Sequence, residues 1–82
     1  MSKPPVKRPT LMEALQLYAD NDGHPPHRVW EELTDHYSHK RVLYVIRRLA
    51  DKGWVEYGVS PRGSWITEKG REALRRGESD LG

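Results

Sequence analysis

Apolar residues recur along this chain with two different periods, and the change from one to the other falls near residue 53. Leu11, Leu15 and Tyr18, flanked by Met12 and Ala19, lie at helical spacing and lay an apolar stripe along one side of a helix. Thr10 stands before that stripe as an N-cap, and Glu13 supplies its capping-box partner, so a first helix is predicted to about residue 19. Asn21, Gly23, Pro25 and Pro26 break the period, and residues 20–26 read as a loop with room for one extended bridge residue beside the prolines. Val29, Trp30 and Leu33 then predict a short second helix over 27–34. Asp35, His36 and Tyr37 connect it to a third helix, 39–52, which Ser38 is placed to cap and Gly53 to stop in a left-handed conformation.

Past Gly53 the period falls to two. Val55, Tyr57 and Val59 alternate with Trp54, Glu56 and Gly58, which predicts a strand over 54–59. Ser60, Pro61, Arg62 and Gly63 read as a turn, and residues 64–66 as the return strand of a hairpin. Thr67 is placed to cap a last helix running to about Arg76, with Ala73 and Leu74 inward. The predicted order is therefore α-α-α-β-β-α, an α+β arrangement. Residues 1–9 carry Pro4, Pro5 and Pro9 among Lys3, Lys7 and Arg8 and read as a flexible basic arm; 10–76 form the folded domain; 77–82 read as a flexible tail.

Composition narrows this picture. At 82 residues there is room for one folding unit, and without cysteine neither a disulfide nor a thiolate metal site can staple it. Three Trp and four Tyr with no Phe leave amphipathic rings to supply much of the buried area. Trp30, Trp54 and Trp65 are expected to close the core and the base of the hairpin, and Tyr18 to face inward. No apolar run reaches the length of a membrane span and nothing resembles a signal peptide, which with the absence of cysteine gives a cytoplasmic expectation.

A net charge of +2 discriminates nothing, but the distribution of charge does. At about 100° per residue, Val42, Leu43, Val45, Ile46, Leu49 and Ala50 fall in one sector of the third helix. Lys40, Tyr44, Arg47, Arg48 and Asp51 cover the opposite side, with Arg41 at its edge. Residues 37–50 contain no acid. A short helix joined by three residues to a basic one is the pattern of a helix-turn-helix, and a helix enters the major groove of DNA only if its outer face carries donors for base edges and phosphates. Lys40, Arg41, Tyr44, Arg47 and Arg48 are such donors, and Ser38 and His39 lie at the leading end.

Three strings carry a family resemblance: Val42 to Ile46; Leu49-Ala50-Asp51-Lys52-Gly53-Trp54-Val55; and Trp65-Ile66-Thr67-Glu68-Lys69-Gly70. A Leu four residues before a Gly closes the third helix, and an apolar pair precedes Thr-Glu-x-Gly. In these features the stretch from Ser38 to Gly70 resembles the winged-helix regulators of the multiple-antibiotic-resistance and phenolic-acid repressor type. The resemblance implies a winged helix-turn-helix and a transcriptional regulator of double-stranded DNA, a repressor; the residues themselves offer no catalytic string and no membrane span, so no enzymatic role, cofactor, membrane or small-molecule substrate is expected. It implies that His39, Lys40, Arg41 and Tyr44 stand at or near the bases, with Arg47 and Arg48 mainly on phosphates. Arg62, the cation of the 60–64 wing, would reach the backbone or minor groove, and Arg28 with His27 would face a phosphate at the start of the second helix. Such regulators commonly pair as homodimers, for which the first or last helix is the available seam.

Other chemistries fit the residues less well. A winged helix can instead serve as a protein-docking module, which would show an exposed apolar patch and indifference to salt, or as an excision or architectural DNA-binding factor. His24-x-x-His27 and His36-x-x-His39 have zinc-like spacing, but the first pair straddles two prolines. Serine, histidine and aspartate are present without a nucleophile elbow. Arg41-Val42-Leu43-Tyr44 with Pro61 and Trp65 is also similar to modules that bind Z-form nucleic acid, yet Leu43 stands where that family needs Asn and Arg62 replaces its second proline.

Overall fold

Hydroxyl side chains begin three of the helices, as the sequence pattern requires. In a computed structural model describing residues 9–23, 25 and 27–77, Thr10 closes a capping box ahead of α1 (Leu11–Asp20). The Glu13 amide donates to Thr10 Oγ1 at 3.0 Å, and the Thr10 amide donates to Glu13 Oε1 at 2.9 Å. Ser38 accepts the Arg41 amide at 3.3 Å and opens α3 (His39–Asp51). Thr67 accepts the Gly70 amide at 3.0 Å and opens α4 (Glu68–Arg76). The remaining helix, α2 (His27–Thr34), follows Pro25, whose carbonyl accepts the Arg28 amide. These caps satisfy amides that the first helical turn cannot pair internally.

The end of α3 lies one residue earlier than the pattern predicts, with Lys52 as its cap and Gly53 left-handed at φ 78°. The Gly53 amide donates to the Ala50 carbonyl and the Trp54 amide to that of Leu49, which is the hydrogen-bond pattern of a Schellman motif. Leu49 and Trp54 are both buried, so the hydrophobic contact that usually accompanies such a turn is available here.

Among the described residues the fold is α+β, with four α-helices and one two-stranded antiparallel sheet. The stripes of the helices meet in a single core: Leu11, Ala14, Leu15 and Tyr18 from α1; Val29, Trp30 and Leu33 from α2; Val42, Val45, Ile46 and Leu49 from α3. Trp54, Val55, Ile66 and Ala73 close it from the hairpin side. Leu15, Ile46 and Leu49 are wholly buried, each worth roughly 1.5–3 kcal/mol of transfer free energy. Leu43 and Ala50, at the margins of the apolar sector of α3, are only partly buried.

The hairpin departs furthest from expectation. Its strands are β1 (Val55–Glu56) and β2 (Trp65–Ile66), each of two residues, in register Val55 with Ile66 and Glu56 with Trp65. The predicted strand over 54–59 stops early because the chain turns inward through a 3₁₀ turn, Pro61–Gly63. Pro61 has no amide for a ladder, and Ser60 Oγ accepts the Arg62 amide at 3.2 Å, which stabilises the turn instead. The turn packs against α2 and α3. Val55 and Ile66 face inward while Trp65 beside them faces out and remains 46 % exposed; the expectation that Trp65 closes the core is thereby corrected. Pro9, expected within the arm, is buried; residues 1–8 and 78–82 lie outside the described residues.

Thr67 and Gly70 join α4 to the hairpin. The Thr67 amide donates to the Trp54 carbonyl at 2.9 Å, and its hydroxyl donates to the Gly53 carbonyl at 2.7 Å. A Cβ at position 70 would sit 2.2 Å from the Trp54 carbonyl oxygen. This close approach is the physical reason for glycine in the string Thr67-Glu68-Lys69-Gly70.

Candidate nucleic-acid interface

The core sets the orientation of α3. Val42, Val45, Ile46 and Leu49 have no exposed surface, so the helix cannot rotate without breaking the interior, and Lys40, Arg41, Tyr44, Arg47 and Arg48 all stand exposed. Among the described residues, no acid lies within ion-pair distance of Lys40, Arg41, Arg47 or Arg48. The arginines of α4 are in a different state, while Lys69 of that helix makes no ion pair among the described residues. Arg71 pairs with Asp22, Arg75 with Glu68 and Glu72, and Arg76 with Glu72. A hydrogen bond from Arg75 and its charge hold the Glu72 carboxyl below its ordinary range, and the same contacts raise the Arg75 guanidinium. Exposed pairs of this kind add little stability, but they weaken the field around the α4 arginines, whereas the α3 cations have no such compensation among the described residues. Acids flank the α3 surface, with Asp35 before the helix and Asp51 as its last residue.

A second group lies at the amino end of α3. Ser38 is engaged as the cap, which ties its hydroxyl to the Arg41 amide, while the residue itself is exposed. The His39 ring lies against the Trp30 indole, with centroids 5.3 Å apart and planes inclined at 57°. Arg62 places its guanidinium carbon 5.3 Å from the centroid of the same indole. Arg62 therefore does not extend from the tip of a long hairpin. It is drawn back onto α2, exposed to solvent and beside the start of α3.

The turn that carries Arg62 is anchored from below. Ser64 is 2 % exposed and donates its hydroxyl to the Pro61 carbonyl. Burial pushes the Tyr18 hydroxyl of α1 up to about 12, offset in part by the nearby Ser64 side chain. Thus α1, the turn and α2 fix one arginine between them. Nothing in the local sequence marks Trp30 as the platform for Arg62. Residues 30 and 62 are related only by tertiary packing, so no spacing signals the contact.

Arg28 is exposed on the first turn of α2, where its side chain makes no hydrogen bond or ion pair among the described residues. His27 of the same turn stands 3.9 Å from Glu31. Among the described residues no group of three or more His, Asp or Glu side chains is placed to hold a metal ion; His24, of the zinc-like pair, lies outside them. No helix among the described residues is long and apolar enough to cross a membrane. Away from α3, the exposed Trp65 forms one wall of a shallow cleft with Tyr18, Asn21, Pro25 and Val29.

No family model, curated protein or solved structure matches the chain.

Proposed function

We propose that this chain is a winged helix-turn-helix protein that binds double-stranded DNA and regulates transcription, acting as a repressor by occupying its site. In this reading α2 and α3 form the helix-turn-helix and α3 lies in the major groove. The 60–64 turn is a short wing. His39, Lys40, Arg41 and Tyr44 meet base edges or the backbone next to them, while Arg47, Arg48 and Arg28 bind phosphates. Arg62 adds a phosphate contact from the wing.

One observation carries the reading: a row of exposed cations on α3 has no acid partner among the described residues, although the same chain pairs all three arginines of α4. Interspersed surface charge meant only for solubility has no reason to divide in this way. A phosphate backbone supplies the missing anions at regular spacing.

Duplex binding measured at increasing salt tests it. If four phosphates are engaged, log affinity falls against log salt with a slope of about −3.6. A duplex affinity that is absent, or indifferent to salt, removes DNA as the ligand. The half-exposed Trp65 favours a second reading, a protein-docking module. That reading expects a salt-insensitive partner whose binding is lost in Trp65→Ser.

A further inference from the structure

Resting on the DNA-binding reading above, we propose that Trp30 is a positioning residue for phosphate recognition: its indole holds Arg62 and His39 together, so that the wing turn and the amino end of α3 form one rigid edge engaging adjacent phosphates of a single strand. The observations are geometric. Both side chains lie 5.3 Å from one ring centroid, so the guanidinium carbon and the imidazole centre are separated by no more than twice that distance. Successive phosphates of one strand advance by about 3.4 Å along the duplex axis, so two groups so placed reach the same phosphate or close neighbours. A wing that reached outward from the hairpin would instead address the adjacent groove.

The indole is suited to this work. Trp30 is 8 % exposed, so its ring is held by the core, whereas Arg62 and His39 are exposed and available to a ligand. The face of an indole attracts a guanidinium electrostatically and leaves the edge of the fork free to donate to phosphate oxygens. The backbone under Arg62 is fixed as well: Ser60 Oγ accepts its amide, the Gly63 amide donates to the Ser60 carbonyl at 3.0 Å, and Ser64 holds the Pro61 carbonyl. Arginine on a free loop loses side-chain freedom when it binds; here part of that ordering precedes the ligand.

The test uses the full chain with Trp30→Leu, Arg62→Ala, the double variant and Arg47→Ala, each titrated with one duplex across a range of salt. Trp30→Leu keeps an apolar side chain at this position but removes the aromatic face. The expected result is a three- to tenfold loss of affinity at low salt, a slope shallower by about 0.9, and a double variant no weaker than Arg62→Ala alone. A merely structural Trp30 would give losses that multiply with those of Arg62→Ala, and that outcome overturns the proposal. Ethylation interference with the wild-type chain locates the Arg62 contact independently of folding. Relief of interference at one phosphate in Arg62→Ala is expected beside the phosphate relieved in His39→Ala; relief across the minor groove from it is contrary.

If Trp30→Leu does not fold, the ring-current shift of the Arg62 side-chain protons in the free wild-type chain keeps the proposal open to refutation. An upfield shift is expected, and unshifted protons overturn it. Loss of binding in Arg47→Ala with Trp30→Leu unaffected sinks the platform and leaves DNA binding standing. Absence of duplex binding in the wild-type chain removes both.

Discussion

Arg41 and Tyr44 stand toward the leading half of α3, exposed on a helix whose other face cannot move. Replacing either with Ala is expected to lower sequence discrimination by about 1–3 kcal/mol, the range of a base contact made by one side chain. Site selection with the variants measures this directly, and an unchanged consensus takes both residues off the bases. Gly70 presents the opposite case, a residue defined by what it lacks. Gly70→Ala gains about 1 kcal/mol in helix propensity, but the added Cβ meets a backbone oxygen that cannot rotate away. Strain from such overpacking costs typically about 1–3 kcal/mol, so the net expectation is destabilisation, read from the urea midpoint. A variant as stable as the wild type contradicts the close approach.

Between elements, Tyr18 of α1 is buried beside Ser64, which donates to the Pro61 carbonyl of the turn. Its pH dependence has a definite sign. The folded chain holds the Tyr18 proton up to about 12, whereas the unfolded chain releases it near about 10. Stability is therefore full below about pH 10 and declines from there to about pH 12, by on the order of 2–3 kcal/mol. Tyr18→Phe is expected to remove that share of the alkaline decline. Equilibrium unfolding of both chains across this range is the check, and parallel curves would exclude Tyr18 as the titrating group.

The same elements show what a sequence can disclose. Thr10 with Glu13, Ser38, Thr67 and Gly53 act on amides and carbonyls within a few residues, so helix ends are legible from local spacing. The apolar sector of α3 is equally plain, because a run of four wholly buried aliphatics over eight positions admits one helix orientation. The wing is not. Alternation over 54–59 describes a strand in isolation, but the chain leaves the ladder where Pro61 turns it onto α2, toward Trp30 and Ser64, and those partners are fixed only in three dimensions. The outward placement of Trp65 escapes local pattern for a related reason. The register sets Ile66 opposite Val55 and assigns the inner face to the smaller residue. Of the interface, the exposed row on α3 is readable, whereas the shared indole that joins His39 and Arg62 is not.

Across the whole molecule, a modest net charge of +2 conceals a division of labour. Each arginine of α4 meets a carboxylate, although Lys69 does not; on α3 the cations are held by the core in front of solvent without such partners among the described residues, with Asp35 before the helix and Asp51 at its end. In the proposed function a polyanion meets this one face, and the turn that carries Arg62 would enlarge it instead of opening a second one. The most direct measurement compares the salt dependence of duplex affinity for the wild-type chain and for Arg47→Ala/Arg48→Ala, two exposed substitutions away from the core. The expected result is a slope shallower by about 1.8, since each arginine neutralises one phosphate, with the thermal transition unchanged. An identical slope in the two proteins would contradict the assignment of α3 to the DNA backbone.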